Sequence, residues 1–322
     1  MLFFDECDKI KRRKEMKNTK EKIFTNRLIV AVLAIFCCAL WGSATPFIKI
    51  GYELILPVRN TESTILFAGI RFTLAGIITV LIYSLGRKKL LYPKKENMGK
   101  VLTVSCFQTV IQYIFFYIGL ANTTGVKGTI ASGSNVFFSM LIATLIFRQE
   151  KLTFKKVFAC IIGFAGIILV NLNGLDLNIN FTGDGFVIFS AVAYGISSVL
   201  IKKYSQYEDP VVISGYQFII GGIVMMALGA LMGGTVAFPT LKAVGVLIYL
   251  ACLSATAYSL WGILLKYNPV SKITIYSFMI SVFGVLLSNL MLSEQNSVSV
   301  VTLIIALILE CTGIIILNYK KA

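Results

Sequence analysis

The sequence predicts an all-α integral membrane protein whose ten transmembrane helices form two inverted five-helix repeats. Three observations carry this expectation. The chain of 322 residues is 57% hydrophobic and only 14% charged, with a mean hydropathy of +0.82, whereas soluble domains average about 45–50% apolar and about 25% charged residues. Its apolar runs reach the roughly 17–25 residues needed to cross about 30 Å of hydrocarbon. Two stretches, Trp41 to Lys49 (WGSATPFIK) and Tyr194 to Lys202 (YGISSVLIK), are faint copies of one another. Each stands in the first apolar run of its half.

Taken in order, residues 1–27 form a polar, basic tail. The first span, near 28–48, is too long for the usual secretory h-region and no small-residue cleavage site ends it, so it reads as a retained helix. Met16 serves as a start as well as Met1, and the sequence leaves that choice open. Pro46 is expected to kink this helix. The remaining spans of the first repeat, 28–173, fall near 64–85, 101–120, 129–147 and 157–172. The second repeat, 183–318, has spans near 185–201, 211–232, 243–265, 273–292 and 299–317, followed by a short terminus, 319–322.

Ten spans place both termini on one side. Of the 30 lysines and arginines, 25 lie on that side: in the tail, the 86–100 and 148–156 loops, and at Lys202, Lys203, Lys266, Lys272, Lys320 and Lys321. The opposite loops hold only Arg59, Lys127 and Lys242. The positive-inside rule then puts both termini in the cytoplasm, in a multi-pass protein of the cytoplasmic membrane. The formal charge of +15 thus orients the chain toward anionic lipid headgroups and is not a nucleic-acid footprint. Cys7 lies in the tail, the other six cysteines in spans, and the chain has no CxxC and no histidine. No disulfide framework, metal site or cofactor is expected.

Five spans per half is an odd number, so the second half enters the membrane with opposite polarity. Further matches keep the same order: Gly69-Ile70-Arg71-Phe72 against Gly215-Tyr216-Gln217-Phe218, Glu150 against Glu294, and Gly166-Ile167-Ile168 against Gly313-Ile314-Ile315. With Trp41-Gly42, Lys49, Arg71-Phe72, Glu150 and Glu294 in place, the chain resembles the EamA-type transporters of the drug/metabolite transporter superfamily over roughly 28–318. The resemblance implies a secondary transporter working by alternating access, a cleft built by helices 1–4 and 6–9, and helices 5 and 10 as scaffold. It also implies export of small organic metabolites. Many relatives carry a helix-breaking proline near the middle of helices 4 and 9, where this chain has Phe137 and Ser281.

Polar side chains in hydrocarbon are costly and normally face a bundle interior or a water-filled cavity. They recur here at the period of one helix face: Gln108 and Gln112; Ser132, Asn135 and Ser139; Ser190, Tyr194 and Ser198; Ser214 and Gln217; Ser254, Tyr258 and Trp261. The expected substrate-binding set is Arg71, Trp41, Gln112, Tyr113, Asn135, Tyr194, Gln217, Tyr258 and Trp261. For single Ser and Thr residues, helix packing is the competing reading. Arg71 has two: a bidentate partner for a substrate carboxylate or phosphate, or a structural contact at the outer gate. Lys49 and Lys202 read as matched anchors at opposite surfaces.

Glu310, some 16 Å into the last span at 1.5 Å per residue, is a candidate proton-coupling group or a structural carboxyl, and its repeat counterpart is Gly163. Carboxylated metabolites such as amino acids fit Arg71 and an aromatic, amide-bearing wall; efflux of hydrophobic drugs is the alternative. An intramembrane enzyme lacks a nucleophile–base pair or metal cluster here, and the tail is short for a scaffold's partner domain. Gly229 and Gly233 form a GxxxG that fits packing within the fold or between protomers, leaving the oligomeric state open.

Overall fold

The structure, a computed structural model, describes residues 19, 21–123, 125–170, 172, 178, 180–292 and 300–319. Met16, Cys7, Glu294, Lys320 and Lys321 lie outside the described residues, as does most of the basic tail. The described secondary structure is helical throughout. Among the described residues, nine helices are long and apolar enough to cross a membrane: α1 Arg27–Ile55, α2 Thr61–Gly86, α3 Lys95–Ala121, α4 Lys127–Ile146, α6 Phe181–Tyr204, α7 Pro210–Leu231, α8 Leu241–Tyr267, α9 Val270–Ser288 and α10 Val301–Asn318. Between α4 and α6 stands α5, Phe154–Val170, with 17 described residues.

Local chemistry sets the helix starts. Asn26 caps α1 by accepting from the Leu28 and Ile29 amides, Asn60 caps α2 at Ser63, and Thr240 caps α8 at Ala243. Asp209 caps α7, whose first residue is Pro210, a position where the missing amide costs nothing. Gly233, at φ +86°, ends α7 with a backbone conformation that side chains disfavour.

The two repeats pack by the same rules. Helices α2 and α7 occupy matching places and cross antiparallel: a Cβ at Gly69 would lie 2.4 Å from the Met226 amide, one at Gly76 2.5 Å from the Gly215 carbonyl, and one at Gly229 2.6 Å from the Leu66 amide. Small residues permit this backbone approach. The matching helices α5 and α10 also run antiparallel, with Gly166 on Ala306 and Gly313 on Ala159.

The repeated aromatic–glycine pair has one job in both halves. Gly42 of α1 lies against Phe283 and Gly284 of α9, and Gly195 of α6 against Phe138 and Ser139 of α4. Each repeat's first helix therefore packs on the fourth helix of the other.

Helices α4 and α9 are both broken without a proline. In α4 the helix tightens at Ser134, whose amide bonds to the carbonyl of Ala131 at 3.2 Å, and in α9 a 3₁₀ turn occupies Ile275–Phe278. Both breaks fall about one turn before Phe137 and Ser281.

Candidate substrate cavity

Inside the bundle lies a cavity of about 250 Å³. Its wall comes from α1 (Trp41, Thr45, Ile48), α2 (Arg71), α3 (Gln112, Tyr113, Phe116, Tyr117), α4 (Ser132, Asn135), α6 (Ser190, Tyr194), α8 (Leu253, Ser254, Tyr258) and α9 (Ile280). Among the described residues, helices α5, α7 and α10 contribute no lining residue.

Among the described residues, Arg71 is the only charged side chain in this wall. Because α2 begins at Thr61, Arg71 stands ten residues in, or about 15 Å at 1.5 Å per residue. That is deeper than the apolar run alone suggested. The residue is 4% exposed, and its guanidinium carbon sits 4.3 Å from the Phe72 ring centroid. The phenols of Tyr117, Tyr113, Tyr52 and Tyr258 are its electrostatic neighbours, Tyr117 foremost. Among the described residues no carboxylate pairs with it, and its Nε has no partner.

An aromatic shelf closes the cavity next to this charge. Trp41 packs edge-on to both Tyr258 and Trp261, each with centroids 5.0 Å apart. The Tyr113 and Tyr258 hydroxyls share a hydrogen bond of 2.5 Å, tying α3 to α8. Behind the shelf the opposite half of the bundle is solid: Cys37, Leu264, Leu265, Ile273 and Val199 are buried in one apolar cluster.

That closed end is also clasped by polar contacts. The Glu150 carboxylate accepts from the Lys156 ammonium at 2.8 Å and from the amide and hydroxyl of Ser271, joining the loop after α4 to α5 and α9. Lys202 donates to the carbonyls of Asn268 and Leu265 at the C-terminus of α8. It acts as an interhelix cap rather than a simple surface anchor, whereas Lys49 is exposed.

Of the nine residues expected to bind substrate, seven line the cavity: Arg71, Trp41, Gln112, Tyr113, Asn135, Tyr194 and Tyr258. Trp261 lies one layer behind, fully buried against Trp41. Gln217 is elsewhere, in the α3–α7 contact, where its Oε1 accepts from Thr109 at 2.5 Å and its carbonyl from Ser105 at 2.8 Å. It holds helices together. Tyr117 and Thr45 are lining residues that sequence reasoning missed; Tyr117 follows Tyr113 by four residues, the spacing of one helix face.

The lining also carries unmet hydrogen-bonding capacity of both kinds. The donors Trp41 Nε1 and Arg71 Nε, and the acceptors Gln112 Oε1 and Asn135 Oδ1, are buried without protein partners. Buried polar atoms in native proteins are almost always satisfied, so these four mark where a polar solute would bond.

The chain belongs to the EamA-like transporter family, whose model matches residues 28–172 and again 181–319. It is a multi-pass membrane protein of a family of transporters, with small molecules as the implied substrates. It is 25% identical over 297 residues to an uncharacterized transporter, YvbV, of Bacillus subtilis, covering 90% of this chain and 92% of that one. An uncharacterized transporter of Archaeoglobus fulgidus is 24% identical over 261 residues, covering 79% and 87%. A chloroplastic WAT1-related protein of Arabidopsis thaliana is 22% identical over 273 residues, covering 80% and 62%. A solved crystal structure superposes with a TM-score of 0.74 at 16% identity, covering 91% of this chain and 97% of that one, and so shares its fold.

Proposed function

We propose that the protein is a secondary transporter, not an enzyme, that exports carboxylated organic metabolites, amino acids in particular, across the cytoplasmic membrane by alternating access. Both termini face the cytoplasm in this reading, because the basic residues gather on that side. The observation that carries the substrate class is Arg71 in the cavity wall, with no carboxylate paired to it among the described residues. Arg71 and the Trp41 indole N–H would bind the carboxylate, since a guanidinium offers two parallel donors to that group. Gln112 and Asn135 would accept from an ammonium group, and the aromatic shelf would take the side chain.

Alternating access draws support from the antiparallel repeats and from a cavity closed at the Glu150 clasp. Among the described residues, no carboxylate stands in the wall to attract a cationic drug. The test is counterflow of radiolabelled amino acids, nucleosides and cationic dyes in proteoliposomes. Amino-acid counterflow that is lost in Arg71→Gln is expected. Counterflow of dyes alone, unaffected by Arg71→Gln, would favour efflux of hydrophobic compounds and overturn the assignment.

A further inference from the structure

A second buried ionisable group lies outside the cavity wall. Glu310 sits within α10, fully buried. Neither of its carboxyl oxygens has a hydrogen-bond partner. Room for it exists because α5 has a glycine opposite: a Cβ at Gly166 would lie 2.9 Å from Glu310 Cγ and 3.5 Å from Oε1. In the other repeat the matching position is Gly163, and there the ring of Phe278 fills the space.

The groups around Glu310 supply no compensating charge. Helix α5 presents Gly163 and Gly166. Cys38 of α1 and Cys311 of α10 are the titratable neighbours that sense its charge. Helix α9 presents its 3₁₀ turn, where Tyr276 uses its carbonyl to accept from Cys38 Sγ at 3.1 Å. A carboxylate ion here would be a buried charge without a donor, which is strongly unfavourable. The site suits the neutral acid in this conformation, and ionisation requires a different arrangement of the helices around it.

That arrangement is linked to the cavity through one element. The turn Ile275–Phe278 contacts α1, α5 and α10, and two residues beyond it Ile280 enters the cavity wall. Ser277, within the turn, is a side-chain neighbour of the cavity residue Tyr194, and its own hydroxyl is buried without a hydrogen-bond partner. The break in α9 therefore lies between Glu310 and the substrate.

We infer that Glu310 is a proton-binding site, and that its gain and loss of a proton are coupled to substrate movement through the broken segment of α9. The proton would bind in the conformation described here and leave to water when α5, α9 and α10 rearrange around it. Substrate passing one way is then exchanged for a proton passing the other. The coupling half of this inference rests on the transport reading; the proton-binding half does not.

Two measurements on the full-length protein in liposomes separate them. In infrared difference spectra recorded across a pH titration, wild type is expected to show one carboxylic-acid band that bleaches as pH rises and is missing from Glu310→Gln. Glu310→Asp should retain a shifted band, which guards against a general folding defect. Identical spectra for wild type and Glu310→Gln would overturn proton binding at this residue. In the second, amino-acid accumulation driven by a pH gradient is expected to be lost in Glu310→Gln, while counterflow at equal pH persists and shows that the variant is folded. Gradient dependence equal to wild type would overturn the coupling. Absence of counterflow in wild type itself would instead count against the amino-acid reading of the cavity.

Discussion

Replacing Gly42 by alanine tests the contact that defines the repeat. The added Cβ would lie 2.4 Å from Phe283 Cβ and 2.9 Å from the Gly284 amide, against ordinary carbon–carbon contacts of about 3.5–4.0 Å. Relief requires α1 and α9 to part by about 1 Å, because the Phe283 Cβ and the Gly284 amide cannot rotate away. Overpacking of this kind costs about 1–3 kcal/mol. Alanine returns up to about 1 kcal/mol through its lower backbone entropy loss in a helix.

Gly245 in α8 provides the control, since a Cβ there meets nothing within 4 Å. Both substitutions have the same helix-propensity gain, so the difference between Gly42→Ala and Gly245→Ala isolates the contact, at about 1–3 kcal/mol. The assay is reversible unfolding of the purified protein in mixed detergent micelles. Gly195→Ala should also destabilise, by less, because its closest contact is 2.9 Å, to the Ser139 amide. If Gly42→Ala is as stable as Gly245→Ala, the close packing of first on fourth helices is wrong.

Other expectations follow from single contacts. Gln217→Leu should lower stability by about 1–3 kcal/mol, because Thr109 loses its partner, yet leave substrate affinity unchanged; a selective loss of affinity would return Gln217 to the cavity. Glu150→Gln weakens the clasp to Lys156 and Ser271, and should raise the reactivity of Cys37 in the apolar cluster behind it toward a permeant maleimide. Unchanged labelling would show that the clasp does not hold that end closed. Fluorescent-protein and alkaline-phosphatase fusions at the C-terminus should be fluorescent and inactive respectively; the reverse pattern would invert the proposed orientation.

Much of this molecule is legible in the order of its residues. The first apolar run, near 28–48, lies wholly inside α1, Arg27–Ile55, since hydrocarbon allows only helices with their backbone satisfied internally. Trp41, Arg71, Tyr113 and Tyr194 could be picked out because polar and amphipathic side chains in that setting are expensive to place elsewhere. Gln217 misled for the same reason. Part of its cost is met by Thr109 on another helix, which donates to its Oε1 while its Nε2 has no partner, and no pattern within α7 reveals that pairing. The repeat alignment set it opposite Arg71, but only one of the two faces the cavity. Helix α2 is three residues longer at its start than its apolar run, because Asn60 and Glu62 extend it through polar capping. Arg71 is carried deeper as a result. The helix breaks at Ser134 and Ile275–Phe278 lack a proline and arise from packing, so sequence points to their neighbourhood and not to their register.

The central claim is that Arg71 selects a carboxylate in a cavity walled by Trp41. The chain has two tryptophans, Trp41 in that wall and Trp261 packed against it, so intrinsic fluorescence reports on the site directly. Titration of the purified protein with amino acids and with their methyl esters is the measurement. Saturable quenching by the acids, weakened about 10–100-fold in the esters and in Arg71→Gln by loss of a charge-assisted pair of about 1.5–3 kcal/mol, is predicted. Equal quenching by acid and ester, unchanged in Arg71→Gln, would contradict it.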